Sequence, residues 1–294
     1  MSEEPPGGAR LADYLELTKP RLSLLSVVTA LVGYFSARPA HDPARVAFLA
    51  LGASLAAGGV AALNQWIECD TDARMHRTAQ RPIPTGRIAT GSAFVLGWAM
   101  CFAALIMLFT RVGRLSALFT LLTIASYLGC YTPAKRLSRW STEIGAVAGA
   151  LPPLIGWSAA EGGVSALGWI LFGVLFFWQI PHFMAIAWIY RGDYRAVNFP
   201  MLPVRDPSGA RVARWSLGAT LALVVVSLLP SFLGLASAWY GAWAGAVGAC
   251  FLWRAAAFLR AQDRDSGARR LFLFSLAYLP LLLGALVADR LLLR

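Results

Sequence analysis

Histidine, cysteine and acidic side chains are all scarce in this chain. It has three histidines and four cysteines in 294 residues. Cys69, Cys101, Cys130 and Cys250 stand far apart without a C-x-x-C pair, and most fall inside apolar runs. That spacing argues against a disulfide framework or a structural zinc site and reads the cysteines as packing residues. Only 14% of residues are charged, with 15 acids against 26 Lys and Arg and a net charge of +11. So little charge among 58% hydrophobic residues does not describe a soluble domain. Alternating ten-residue strands are missing too, which argues against a β-barrel. Met1 to Arg10 lack the basic n-region of a signal peptide and the Arg-rich pattern of a transit peptide; with Glu3, Glu4 and a Pro-Pro-Gly-Gly run they read as a short disordered tail.

What the chain does have is apolar length. Runs able to cross a hydrocarbon core of about 30 Å recur near residues 19–37, 46–67, 91–110, 115–133, 142–160, 165–190, 214–234, 236–257 and 270–288. The expected fold class is all-α: a polytopic membrane protein of about nine transmembrane helices, with 1–17 a short cytoplasmic tail and 18–294 one domain. Gly and Pro interrupt several spans, which neighbouring helices and bound water make tolerable. With a cytoplasmic N-terminus, all but six of the 26 Lys and Arg fall on the inner side, the exceptions being Arg38, Arg45, Arg111, Arg114, Arg290 and Arg294. This is the positive-inside pattern of an odd number of spans. It makes the anionic surface of a bilayer, not nucleic acid, the partner of the basic residues, and a bacterial inner membrane the expected location.

Two polar loops, 68–90 and 191–213, are unlike the rest. They stand four spans apart and suggest a divergent repeat whose second and sixth helices face a shared cavity. The first opens on Asn64-Gln65-Trp66-Ile67-Glu68-Cys69-Asp70-Thr71-Asp72. Charges beside a bilayer cost free energy to hold, so such a cluster points to a site. Asn64, Glu68 and Asp72, four residues apart, share one stripe of a continuing helix. Like charges that close call for a cation, and Mg²⁺ is commonly held by one or two carboxylates together with substrate phosphates. Asp70 lies off the stripe and is free to meet a basic neighbour. Arg74, Arg77, Arg81 and Arg87 follow, then Lys135 and Arg136 after span four. Arginine forks suit phosphate oxygens, so acids and bases together describe a metal-diphosphate site; ordinary loop charges with surface salt bridges are the plainer alternative.

The stretch Asn64 to Ile88, with its N-x-x-x-E-x-x-x-D run and Arg-Pro-Ile-Pro-Thr-Gly segment, resembles the UbiA superfamily of intramembrane prenyltransferases. Thr18-Lys19-Pro20-Arg21, Tyr131-Thr132, Leu151 to Trp157, Trp178 to Phe183 and Asp193 to Pro203 extend the resemblance over nearly the whole chain, most closely to the haem-farnesylating branch. The resemblance implies nine helices around a lipid-accessible chamber, farnesyl diphosphate as donor, haem B as acceptor and Mg²⁺ as cofactor. It places Asn64, Glu68 and Asp72 on the metal and Arg77, Arg81, Lys135 and Arg136 on the diphosphate. It also implies handover of the product to a haem A synthase or a terminal oxidase.

Glu68 stands where the wider family usually shows Asp, and Ala79 where relatives are often more basic. Span six has His182 after Pro181, with only Asp193 beyond, in place of a second aspartate motif. Imidazole is a good iron ligand. Haem contact, a diphosphate or proton-transfer role, and a hydrogen-bonded structural histidine are all open to His182. Trp66, Trp157 and Trp178 either steady an allylic cation or simply pack. The rival readings are a UbiA-type enzyme acting on a quinone precursor, disfavoured by Pro181-His182-Phe183, and a transporter, whose polar sites tend towards the bilayer midplane.

Overall fold

The computed structural model describes residues 9–37 and 42–293, and the described part consists of helices and their connections, with no strand. The tail residues before Ala9, together with Arg38, His41 and Arg294, lie outside it. Residues 11–17, expected to belong to the disordered tail, instead form most of α1 (Leu11–Thr18). Its Leu17 is fully buried against Ala62, Ile83, Ile88 and Ala93. A run this short is held by burying one leucine face rather than by helix propensity, and that face alternates with polar residues that read as a solvated tail.

α2 (Pro20–Ser36), α3 (Pro43–Ile67) and α9 (Pro152–Glu161) each start on proline, which has no N–H to leave unpaired in a first turn. Asp42 caps α3 through the Arg45 backbone N–H at 2.9 Å. The other membrane-scale helices are α5 (Thr90–Arg111), α10 (Ala166–Ile189), α13 (Ala210–Phe232), α14 (Ala238–Arg260) and α15 (Arg264–Ala288). Between α5 and α10 run α6 (Arg114–Ala125), a π-helical turn (Ser126–Tyr131), α7 (Thr132–Leu137), then α8 (Ser141–Ala150) and α9. Short helices α4 (Cys69–Asp72), α11 (Arg191–Ala196) and α12 (Leu202–Arg205) lie in the two polar loops.

Among the described residues seven helical stretches are long and apolar enough to cross a membrane, not nine. The other two expected spans are present in altered form: α2 has 17 residues, and the fifth span is divided at Leu151 into α8 and α9 because Pro152 cannot continue the α8 ladder. The large core cluster fills the space among α10, α13, α14 and α15. α15 also reaches back to α2, and in the π-helical turn that follows it (Asp289–Leu293) the Arg290 Nε donates to the Ser36 carbonyl at 3.0 Å. Lipid gives no hydrophobic drive between helices, so their contacts depend on close backbone approach at small residues. α2 and α9 show this most plainly. A Cβ on Gly33 would lie 2.1 Å from the Pro153 carbonyl oxygen, and one on Gly156 only 1.7 Å from that of Ala30.

Candidate active site

α3 does not continue smoothly past its end. It stops at Ile67, Glu68 turns the chain, and α4 adds one further turn. The four-residue spacing survives in backbone hydrogen bonds from Glu68 N to Asn64 O at 3.0 Å and from Asp72 N to Glu68 O at 2.8 Å. Asn64, Glu68 and Asp72 are all buried, at 3%, 4% and 0% exposure. Two buried carboxylates so near each other require compensation, and the basic residues supply it. Lys135 Nζ donates to both Glu68 oxygens at 2.9 and 3.0 Å while lying 4.6 Å from the Tyr131 ring centre. Arg81 Nη1 meets Asp72 Oδ2 at 2.5 Å. Thr78 Oγ1 donates to the Asp72 carbonyl at 2.9 Å, folding the loop over this carboxylate.

The remaining arginines are turned elsewhere. Arg136 holds Asp70 at 2.6 Å and the Ile67 carbonyl at 3.2 Å on the exposed side of the helix end, so its partner is the off-stripe acid. That hydrogen bond keeps the Asp70 carboxyl below its ordinary range. Arg77 stacks 5.3 Å from the Tyr190 ring centre, joining the first polar loop to the end of α10, and Arg87 pairs with Asp13 and Glu16 of α1. Met75 packs with Ala187, Val197, Phe199 and Met201, so the two polar loops do meet. Asp193 makes no ion pair among the described residues.

Two residues matter more here than the sequence indicated. Thr132 Oγ1 donates its one proton to the Tyr127 carbonyl at 3.0 Å, leaving the hydroxyl only an acceptor for Asn64 Nδ2 at 3.3 Å. The Asn64 amide is thereby oriented with Oδ1 free of any hydrogen bond. The π-helical turn makes this possible, because its wider winding brings the Thr132 N–H and hydroxyl onto the same Tyr127 carbonyl. Thr132→Val keeps the shape and removes the acceptor. It is expected to raise the Mg²⁺ concentration for half-maximal activity roughly tenfold and, by leaving the buried Asn64 Nδ2 without its acceptor, to cost about 1–3 kcal/mol of stability; an unchanged Mg²⁺ titration would remove Thr132 from the site.

Lys19 is the second. It sits between α1 and α2 in the left-handed region at φ 48°, a conformation costing a non-glycine residue about 1 kcal/mol or more. Burial first, then Arg81 and Lys135, push its ammonium down to about 7, while Asp72 and Glu68 act in the opposite direction. No spacing rule pointed to Lys19; only the fold brings it to within electrostatic reach of these four groups.

Among the described residues no three of His, Cys, Asp and Glu gather closely enough to hold a metal alone. What is present is an incomplete set: two carboxylates and one oriented amide oxygen. Asp72 Oδ1 is buried without a hydrogen-bond partner, a condition costing about 1–3 kcal/mol. An ion that takes substrate phosphates as its other ligands fits this set, and Mg²⁺ binds in that manner.

His182 lies in α10, where it packs against α15. It is buried at 7% exposure, its ring centre is 4.8 Å from that of Trp178, and its Nδ1 lies 2.7 Å from Ser275 Oγ. Ser275 gives its proton to the Phe272 carbonyl at 2.6 Å, so Nδ1 must be the donor and Nε2 keeps a free lone pair. Trp157 and Trp178 are buried with their N–H groups bonded to Glu161 and to the Ser275 carbonyl, and half-buried Trp66 packs on Phe94. Each thus has packing or hydrogen-bond partners in the structure.

Fold and site define a multi-pass helical membrane protein with a buried cluster of acids and bases at the end of one membrane-scale helix. The family model described as the UbiA prenyltransferase family matches residues 26–277. This chain belongs to the UbiA prenyltransferase family. It is 67% identical over 291 residues to a "Protoheme IX farnesyltransferase" of Opitutus terrae, covering 99% of both chains. The fold is similar to that of a digeranylgeranylglyceryl phosphate synthase, with TM-score 0.80 and 16% identity over 95% of this chain and 98% of the other. It is also similar to a UbiA homolog from Archaeoglobus fulgidus bound to GPP and Mg²⁺, with TM-score 0.63 and 13% identity over 93% of this chain and 99% of the other.

Proposed function

We propose that this chain transfers the farnesyl group of farnesyl diphosphate to a vinyl group of haem B, with addition of water, to give haem O and diphosphate. The observation that carries the donor half is the convergence of Asn64, Glu68 and Asp72 with Arg81 and Lys135 at the end of α3. The acceptor half rests on near full-length similarity to a protein named for that reaction. The site is placed on the cytoplasmic face of a bacterial inner membrane, following the distribution of Lys and Arg.

Asn64 Oδ1, Glu68 and Asp72 would hold Mg²⁺, which when bound supplies Lewis-acid polarisation of the leaving diphosphate. Arg81 and Lys135 hold the two carboxylates in the free protein, and on donor binding their donors are available to phosphate oxygens, so every buried charge keeps an opposite neighbour. In the free protein Arg77 is stacked on Tyr190 and Arg136 is bound to Asp70, so neither pairs with Glu68 or Asp72. The carbon–oxygen bond of the donor breaks to an allylic cation, the haem vinyl group attacks it, and water captures the resulting cation beside the pyrrole. Apolar helix walls keep water from the first cation. His182 Nε2 offers a lone pair to haem iron, its Nδ1–H fixed by Ser275. His182→Ala should weaken haem binding, followed by its absorbance, more than binding of farnesyl diphosphate; equal losses would exclude the haem role.

Lys19 gives a pH test of the donor site. With a folded value near 7 against an ordinary 10.5, the ammonium is mostly neutral at about pH 8 in the free protein. An arriving diphosphate favours the charged form, so binding should take up a proton. Calorimetry in buffers of different ionisation enthalpy should show net uptake that disappears in Lys19→Met. The same depression means the free protein gains stability as pH rises from about 7 towards 10.5, where the unfolded chain binds the extra proton. Uptake of the same size in Lys19→Met would sink this assignment.

A further inference from the structure

A part-open cavity with charged and aromatic residues in its lining lies at the same end of the bundle, where the α7–α8 connection meets the start of α13. It encloses about 170 Å³ and is lined by Arg139, Trp140, Glu143, Leu202, Arg211 and Trp215. That volume is on the scale of a small headgroup and too small for a porphyrin. Nothing in the prenyl-transfer site uses these residues.

Their chemistry is specific. Trp140 and Trp215 stand edge to face at 5.3 Å, at 43% and 40% exposure, where α8 and α13 enter the apolar layer. Half-exposed indoles at that level are the mark of a lipid headgroup boundary. Trp215 Nε1 donates to Glu143 Oε1 at 2.5 Å, whereas Glu143 Oε2 is buried without a partner. A carboxylate oxygen in that condition lacks a donor. Arg139 stacks 4.9 Å from the Trp140 ring centre, and neither it nor Arg211 makes an ion pair among the described residues. The lining therefore holds two guanidinium groups outside any ion pair, and an acid short of a donor beside an indole face that favours a cation.

We propose that this cavity binds the headgroup of a phospholipid carrying a primary ammonium, the phosphate on Arg139 and Arg211 and the ammonium on Glu143 beside the Trp215 indole. A quaternary ammonium has no N–H for the Glu143 carboxylate. A phosphoglycerol headgroup brings net negative charge towards the same carboxylate, and a phosphoserine headgroup brings a second carboxylate. A phosphoethanolamine headgroup supplies an anion for the guanidinium groups and a donor for Glu143 at once. The open, interfacial position of the cavity makes the bilayer, not a soluble metabolite, the source.

The test is native mass spectrometry of the full chain released from mixed bilayers of ethanolamine, choline and glycerol phospholipids with identical acyl chains. The wild type should retain one ethanolamine lipid at several-fold excess over the other two. Glu143→Gln should abolish the preference over choline lipid, while the exposed substitution Arg211→Gln should lower retention of every phospholipid. Equal retention of ethanolamine and choline lipids by the wild type, or a preference intact in Glu143→Gln, would overturn the proposal. So would soluble phosphoethanolamine that displaces the lipid at equal concentration, since the bilayer would then not be the source.

Discussion

Asp72→Ala should lower turnover by roughly 10³-fold or more while the protein still folds, because one change removes a proposed metal ligand and the partner of Arg81. Asp72 is fully buried at the end of α4, with one oxygen on Arg81 and the other unpartnered. Deleting one member of a largely buried pair also costs about 3 kcal/mol, because the remaining charge keeps its desolvation without its neighbour. Adding Arg81→Gln to Asp72→Ala should recover stability and leave turnover lost. Asp70→Asn is the control: its bond to Arg136 is exposed and worth at most about 1 kcal/mol, so activity should stay within a few-fold of wild type. Full activity in Asp72→Ala, measured as diphosphate release, would remove the donor site from α3 and α4.

Gly156→Ala carries the largest expected effect on the fold. Its Cβ would fall 1.7 Å from the Ala30 carbonyl oxygen and 2.9 Å from Tyr34 N, and these are backbone atoms that cannot rotate away. α2 and α9 must then separate, at a cost of about 3 kcal/mol or more. The shift also reaches the site, since α2 begins directly after Lys19, so donor affinity should fall together with the melting temperature. Gly284→Ala in α15, which meets nothing within 4 Å, should leave the melting temperature unchanged or slightly higher. Equal melting temperatures for Gly156→Ala and wild type would contradict the α2–α9 crossing.

Much of this site was legible in the sequence because its signals are local. The four-residue spacing of Asn64, Glu68 and Asp72 survives the turn at Glu68, since each backbone hydrogen bond spans that same interval. The off-stripe position of Asp70 likewise foretold a basic partner, found in Arg136. The helical membrane class followed from apolar length alone. What the sequence hid depends on distant packing. Lys19 and Thr132 join the site through a left-handed junction and a π-helical turn, neither of which has a periodic signature. A tally of apolar runs likewise missed that Leu17 orders α1 and that Pro152 divides the fifth span. Arg136 could not be separated from Arg81 by type or spacing, because only the side of the helix end on which each emerges decides whether it meets Asp70 or Asp72.

The central claim is that the α3–α4 site ionises farnesyl diphosphate for transfer to haem. The most direct test incubates the purified protein with haem B, farnesyl diphosphate and Mg²⁺ and examines the porphyrin by mass spectrometry. The account predicts a haem carrying one hydroxyethylfarnesyl group, lost when EDTA is added and absent with Asp72→Ala. Unmodified haem, together with farnesyl transfer to a quinone precursor under the same conditions, would contradict it.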